Sequence, residues 1–207
     1  MPGVQKVTQN AVFLNIPYGP KFRSLYIAYV AGLIQLGLIP RLTLRQPGKK
    51  RRLDKILSEI RSCRYSIHDL SMVVVDRNPP PPTPRFNMPF ELGLAVALDK
   101  LAPEGHDWFV FEAQDYRLLK SLSDLNGTDP QIHKGTVRGV MSQLLNIFRR
   151  VRNRPTLAEM MHTYNTTSRR VEMILAKTGA ASLFEARAFE DLCAEVKIAV
   201  DGPKALR

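Results

Sequence analysis

Cysteine is nearly absent. The chain of 207 residues holds two, Cys63 and Cys193, far apart and each in an apolar context. A disulfide framework and a cysteine-based metal motif are therefore excluded, and free thiols in a reducing cytosol are expected. Long apolar runs are also missing: residues 25–39 come closest, and Gln35, Gly32 and Gly37 interrupt them. Such a stretch fits a buried helix better than a membrane span. The polar start of the chain has no signal-peptide pattern, so a cytoplasmic protein with no membrane partner is expected. Acidic residues are scarce too, 19 against 30 Lys and Arg, for a net charge of +11. That balance favours anionic partners such as nucleotides, nucleic acid or acidic lipid surfaces, although a solvated basic surface gives the same count. A glycine-rich phosphate loop is lacking, since Ile16-Pro17-Tyr18-Gly19-Pro20 has one glycine. His106, His133 and His162 have no ligand spacing, so no metal site is expected.

What is present is an alternation of short β-rich runs and helical patterns. Residues 11–16 read as a strand closed by Pro17, Gly19 and Pro20. Residues 21–36 read as a helix stopped by Gly37, residues 38–44 as a second strand, and Gln46-Pro47-Gly48 as a turn. Apolar residues at 53, 56, 57 and 60 predict an amphipathic helix, and residues 65–70 a third strand. After a proline-rich loop at 76–84, a helix opens near Asn87, and residues 107–113 make a fourth strand. Helices follow at 116–125 and 136–150. This order predicts an α/β, flavodoxin-like three-layer fold: a parallel sheet with helices on both faces, and a C-terminal helical extension. The composition shifts at the basic junction 149–155, dividing the chain into a nucleotide-binding domain, 1–150, and a small all-helical tail, 151–207. Thr156-Leu157-Ala158-Glu159 and Ser182-Leu183-Phe184-Glu185 each read as a capping box.

In such sheets, ligands bind beyond the carboxyl ends of the strands, where strand order reverses. The loops expected there are 17–23 and 68–87. Glu91 begins the helix leaving the second loop and is the one acid in the apolar run 88–98. Asn87 reads as the N-cap and Pro89 as a first-turn residue, which puts Asn87, Glu91 and Ala95 on one face. Phe90, Leu94 and Leu98 are expected to line a core face. The helix start would hold Glu91 ionised. Asp69, at the end of the third strand, is the candidate second acid/base or ribose ligand, with His68 beside it. Arg23 and Arg85 are candidates to hold phosphate, Tyr18, Phe22 and Phe86 to stack on a base, and Asn87 to contact substrate. A purely structural alternative is that Glu91 caps a backbone N–H or pairs with Arg85.

Asn87, Phe90, Glu91, Leu92, Gly93 and Ala95 resemble the Pro-Asn-x-x-Phe-Glu-Leu-Gly segment of the TIR-like and nucleoside 2-deoxyribosyltransferase-like group. Two blocks, at 60–71 (Ile-Arg-Ser-Cys-Arg-Tyr-Ser-Ile-His-Asp-Leu-Ser) and 85–94, also resemble a set of bacterial proteins. The resemblance spans roughly residues 11–150. It implies that the helix-borne glutamate cleaves or transfers the N-glycosidic bond of a nucleoside or nucleotide such as NAD. The nucleotide would then be a substrate, and no cofactor is implied. The chain departs from the deoxyribosyltransferases in having Thr-Pro-Arg-Phe-Asn before the helix, and from TIR hydrolases in lacking a Trp or Cys near the glutamate. A non-catalytic nucleotide sensor is the first alternative. The tail offers another: residues 156–177 have helix-turn-helix proportions with Arg169 and Arg170 early on the second helix, which suggests a DNA-binding regulator. Packing of the tail or homodimerisation is the structural reading of the same helices.

Overall fold

Elements form where the alternating patterns place them. The structure is a computed structural model that describes residues 7–44, 51–73, 75–77, 80–101, 105–152 and 154–202. The expected turn Gln46-Pro47-Gly48 lies outside the described residues. In chain order the elements are β1 (Thr8–Asn15), α1 (Arg23–Gln35), β2 (Ile39–Arg41), α2 (Arg52–Ser62), β3 (Cys63–Asp69), β4 (Val75–Asp76) and β5 (Thr83–Pro84). They continue as α3 (Asn87–Leu101), β6 (Asp107–Glu112), α4 (Arg117–Ser121), β7 (Gln131–Ile132), α5 (Val137–Ile147), α6 (Leu157–Ser168), α7 (Val171–Thr178) and α8 (Ala186–Asp201).

The main sheet is five-stranded and all-parallel, in the order β2-β1-β3-β6-β7, which is the flavodoxin-like order. Its reversal point falls between β1 and β3, where Leu14 pairs with Ile67 and Asn15 with His68. β4 and β5 form a separate antiparallel ribbon. β7 was not anticipated, because two residues show no periodicity. Among the described residues, no helix is long and apolar enough to cross a membrane.

The chain clusters into two compact units. The described residues of the first fall within Met1–Pro17, Arg41–Thr43 and Lys50–Gly135. Ala11, Phe13, Ile56, Ile60, Cys63 and Ala95 form one of its apolar clusters, joining β1, α2, β3 and α3. Leu70, Leu92, Val110 and Leu118 form another, near the carboxyl ends of β3 and β6. Burial pushes the Cys63 thiol up to about 12, so it is inert packing.

The described residues of the second fall within Tyr18–Pro40, Leu44–Lys49 and Thr136–Arg207. The sequence marks a composition break near residue 150, yet α1 and α5 also belong to this helical unit. The reason is local: α1 has no polar face, and every residue from Leu25 to Leu33 is buried. A helix apolar all round must be surrounded, and α5, α6 and α8 pack on it. Gly32 permits the close approach; a Cβ there would lie 2.6 Å from Leu144 Cδ1 and 2.9 Å from Met141 Sδ.

The capping box at α6 is complete. Thr156 Oγ1 accepts from Glu159 N, and the Glu159 carboxylate accepts from Thr156 N at 2.7 Å. Thr156→Ala is expected to lower unfolding free energy by about 1 kcal/mol, read as a shift in the urea midpoint at unchanged slope. The second box is not one. α8 starts only at Ala186, and Glu185 Oε1 accepts from Ala181 N at 2.8 Å while Ser182 Oγ accepts from Phe184 N. Ser182 thus organises the preceding turn and does not cap the helix.

Candidate active site

α3 begins one residue earlier than the capping pattern suggests. Phe86 carbonyl accepts from Phe90 N at 2.9 Å, so Phe86 stands at the cap and Asn87 is already helical. Glu91 is therefore the fifth helical residue, past the free N–H groups of the first turn. The face assignment shifts with it. Glu91, Leu92 and Ala95 are the buried residues of α3. Leu94 and Leu98 pack at the edge of the β1–α2 cluster, whereas Phe90 is 55% exposed. Glu91 thus shares its face with Ala95, as the spacing predicts, but that face points into the core.

Burial decides the chemistry of this carboxyl. Glu91 is 7% exposed. Desolvation raises its pKa from 4.5 to about 7, and Arg52 opposes this only in part. The carboxyl is held less firmly ionised than expected of a helix-start glutamate, because the macrodipole acts over the first turn and desolvation outweighs it here. Among the described residues, Glu91 has no hydrogen-bond partner, so it neither caps a backbone N–H nor pairs with Arg85. A buried acid without a structural partner is costly, and such groups concentrate at functional sites.

Buried polar groups run from the amino ends of β3 and β6 to the carboxyl ends of β1 and β3. Asn15 ends β1 and His68 lies opposite it on β3. Asn15 Nδ2 donates to the Met88 carbonyl at 3.0 Å and to His68 Nδ1 at 2.9 Å. His68 Nε2 lies 2.9 Å from Ser66 Oγ, and His106 Nε2 lies 2.8 Å from the same hydroxyl. His106 Nδ1 reaches the Cys63 carbonyl at 3.0 Å. Burial lowers the pKa of His68 to about 3 and lowers that of His106 as well, so both rings are neutral. With both ring nitrogens bonded, His68 anchors the site from within.

Asp69 is fully buried and engaged by Ser71. Its Oδ1 accepts from Ser71 N at 2.9 Å and from Ser71 Oγ at 2.5 Å, and His133 Nε2 lies 3.3 Å from Oδ2. Gly135 N donates to His133 Nδ1 at 3.1 Å, which places the ring proton on Nε2. The turn that allows this has Lys134 at φ +54° and Gly135 at φ +65°. At the end of β6, the buried Glu112 accepts from Ala113 N at 2.7 Å and meets Arg117 Nη1 at 3.4 Å. Arg117 also donates to the Ser71 carbonyl at 2.8 Å and to the Val73 carbonyl, clamping the loop after β3. Among the described residues, no group of three or more His, Cys, Asp or Glu is arranged to hold a metal ion.

Arg85, Phe86 and Asn87 are exposed at the mouth of α3, with Phe86 64% exposed. Tyr18, Phe22 and Arg23 belong to the helical unit and have partners there. Tyr18 meets Phe184 edge-on at 5.7 Å, Phe22 stacks on Tyr29 at 6.3 Å, and Arg23 pairs with Glu172 at 2.5 Å. In the tail, α6 runs through to Ser168, so Arg169 and Arg170 occupy the turn before α7. Arg170 pairs with Glu195 at 2.6 Å.

Asn15, His106, His133, Glu112 and Arg117 were not anticipated. Asn15 alone left a trace in the sequence, as the polar residue within the apolar run 11–16. No family model, curated protein or solved structure matches the chain.

Proposed function

We propose that the protein acts on the N-glycosidic bond of a nucleoside or nucleotide such as NAD, with Glu91 as the catalytic carboxyl. One observation carries this reading: Glu91 is buried at the start of α3, beside the carboxyl ends of the parallel strands, and no described residue hydrogen-bonds to it. The segment around it also resembles that of the deoxyribosyltransferase-like group.

Breaking the C1′–N bond sends the bonding pair to the base and leaves positive charge on the sugar. A desolvated carboxylate meets that charge in a low dielectric, where the attraction is far stronger than in water. A pyridinium nucleotide suits the site best. Its base departs neutral without needing a proton, and its positive charge draws Glu91 into the carboxylate form. Water then adds to C1′ and releases a proton, or a second acceptor takes the sugar. For a neutral purine nucleoside, the protonated form of Glu91 supplies the leaving base with its proton.

The test is mass spectrometry of NAD and of nucleosides incubated with wild type and with Glu91→Gln. Free base is expected from wild type, with roughly a 10²- to 10⁴-fold loss in the variant. Unchanged turnover in Glu91→Gln overturns the assignment. The engagement of Asp69 by Ser71 favours a second reading, a nucleotide sensor without turnover. Tight nucleotide binding with no product over long incubation would select it.

A further inference from the structure

We propose that Asn15, Ser66, His68 and His106 form a one-directional buried hydrogen-bond chain that positions the first turn of α3, and with it the Glu91 carboxyl. The direction is fixed from both ends. The Cys63 carbonyl can only accept, so His106 Nδ1 carries a proton, and the neutral ring offers a lone pair at Nε2. Ser66 Oγ–H therefore donates to His106 Nε2 and accepts from His68 Nε2–H. That leaves a lone pair on His68 Nδ1, which is what the Asn15 amide requires. The second amide proton of Asn15 ends the chain on the Met88 carbonyl, in the first turn of α3.

Each link has one donor and one acceptor, and no link can be reversed alone. Ser66, His68 and Asn15 are at most 3% exposed, where an unsatisfied polar group is expensive. Filling the core needs none of these polar atoms. Their shared outcome is a fixed carbonyl three residues before Glu91. Asn15, Ser66, His68 and His106 are thus positioning residues. Their bearing on catalysis rests on the function proposed above, while their geometry does not.

The test needs no turnover, so it stands or falls separately from that function. Long-range ¹⁵N–¹H correlation of the histidine rings in wild type at pH 7 is expected to show His68 protonated on Nε2 alone and His106 on Nδ1 alone. The opposite tautomer or a doubly protonated ring at either residue overturns the chain. ¹³C titration of the Glu91 carboxyl then reads the positioning. In Asn15→Leu, and in Ser66→Ala two links away, the midpoint is expected to fall from about 7 by about one pH unit or more, as water reaches the loosened turn. An unmoved midpoint in both folded variants overturns the positioning role, and so does a shift in Asn15→Leu alone. Asn15→Asp replaces the donor by an acceptor and is expected to move a proton onto His68 Nδ1. A ring that keeps its wild-type tautomer there also counts against the chain, and the wild-type spectrum decides the chain if the variants do not fold.

Discussion

Glu91→Gln is expected to make the protein more stable above neutral pH while removing the proposed activity. The folded protein holds the Glu91 proton up to about pH 7, whereas the unfolded chain releases it near 4.5. Between those values the native state binds more protons, so this group's contribution to stability is fully present below pH 4.5 and is lost as pH rises through 7. At about 1.4 kcal/mol per pH unit, the loss comes to about 3 kcal/mol. Glutamine has the same shape and never ionises, so it escapes that loss. Urea unfolding of wild type and variant at pH 4.5, 6 and 8 is the measurement. The two should nearly coincide at the lowest pH and diverge, in favour of the variant, by about 3 kcal/mol at the highest. A constant difference across the range would mean that Glu91 is not held in a desolvated place. A variant that gains stability and loses turnover is the signature of a group kept for function at the expense of the fold.

The placement of Glu91 was legible in the sequence, and the reasons are specific. Glu91 stands out because an acid in an apolar helix is rare, and the i, i+4 spacing puts it with Ala95 on one face. Its ionisation was not legible. Whether the macrodipole or desolvation wins depends on which side of α3 meets β1 and α2, and that is set by packing across distant segments. The parallel sheet with helices on both faces followed from alternation, since parallel strands need helical crossovers. His106 could not be read as a partner of Ser66, because their contact depends on the pairing of β3 with β6, which sets Ser66 opposite Trp108. His133 was equally hidden: its approach to Asp69 runs through β7, a strand two residues long, and a turn with two successive positive φ angles. The helix-turn-helix proportions of the tail were legible, but the break between α6 and α7 falls at Arg169 and Arg170, so these arginines do not open the second helix.

Acid should unfold this protein by a steep and identifiable route. His68 is buried and neutral down to about pH 3, and burial also lowers the pKa of His106, although Asp107 and Asp99 nearby pull in the other direction. In the unfolded chain both rings take up a proton near 6.5. Below that pH the unfolded state binds more protons, so stability is present above 6.5 and is lost as pH falls. His68 alone contributes a slope of about 1.4 kcal/mol per pH unit, or about 4 to 5 kcal/mol by pH 3, and His106 adds to it in the same sense. Glu91 works against this between pH 7 and 4.5, because there its protonation favours the folded state. The wild-type stability curve should therefore decline gently from pH 6.5 to 4.5 and more steeply below. In Glu91→Gln the opposing contribution is gone, and the steep decline should begin at 6.5. His106→Gln can still donate to the Cys63 carbonyl and accept from Ser66, and it should remove one of the two protons taken up on unfolding. Proton uptake measured by unfolding at closely spaced pH values resolves these slopes. Acid sensitivity unchanged in His106→Gln, with the same break in the Glu91→Gln curve, would mean that the histidine chain is not what acid attacks. If the slopes follow this pattern, the Glu91 carboxyl and the buried chain beside it titrate in opposite senses, and the stability optimum lies between their two transitions.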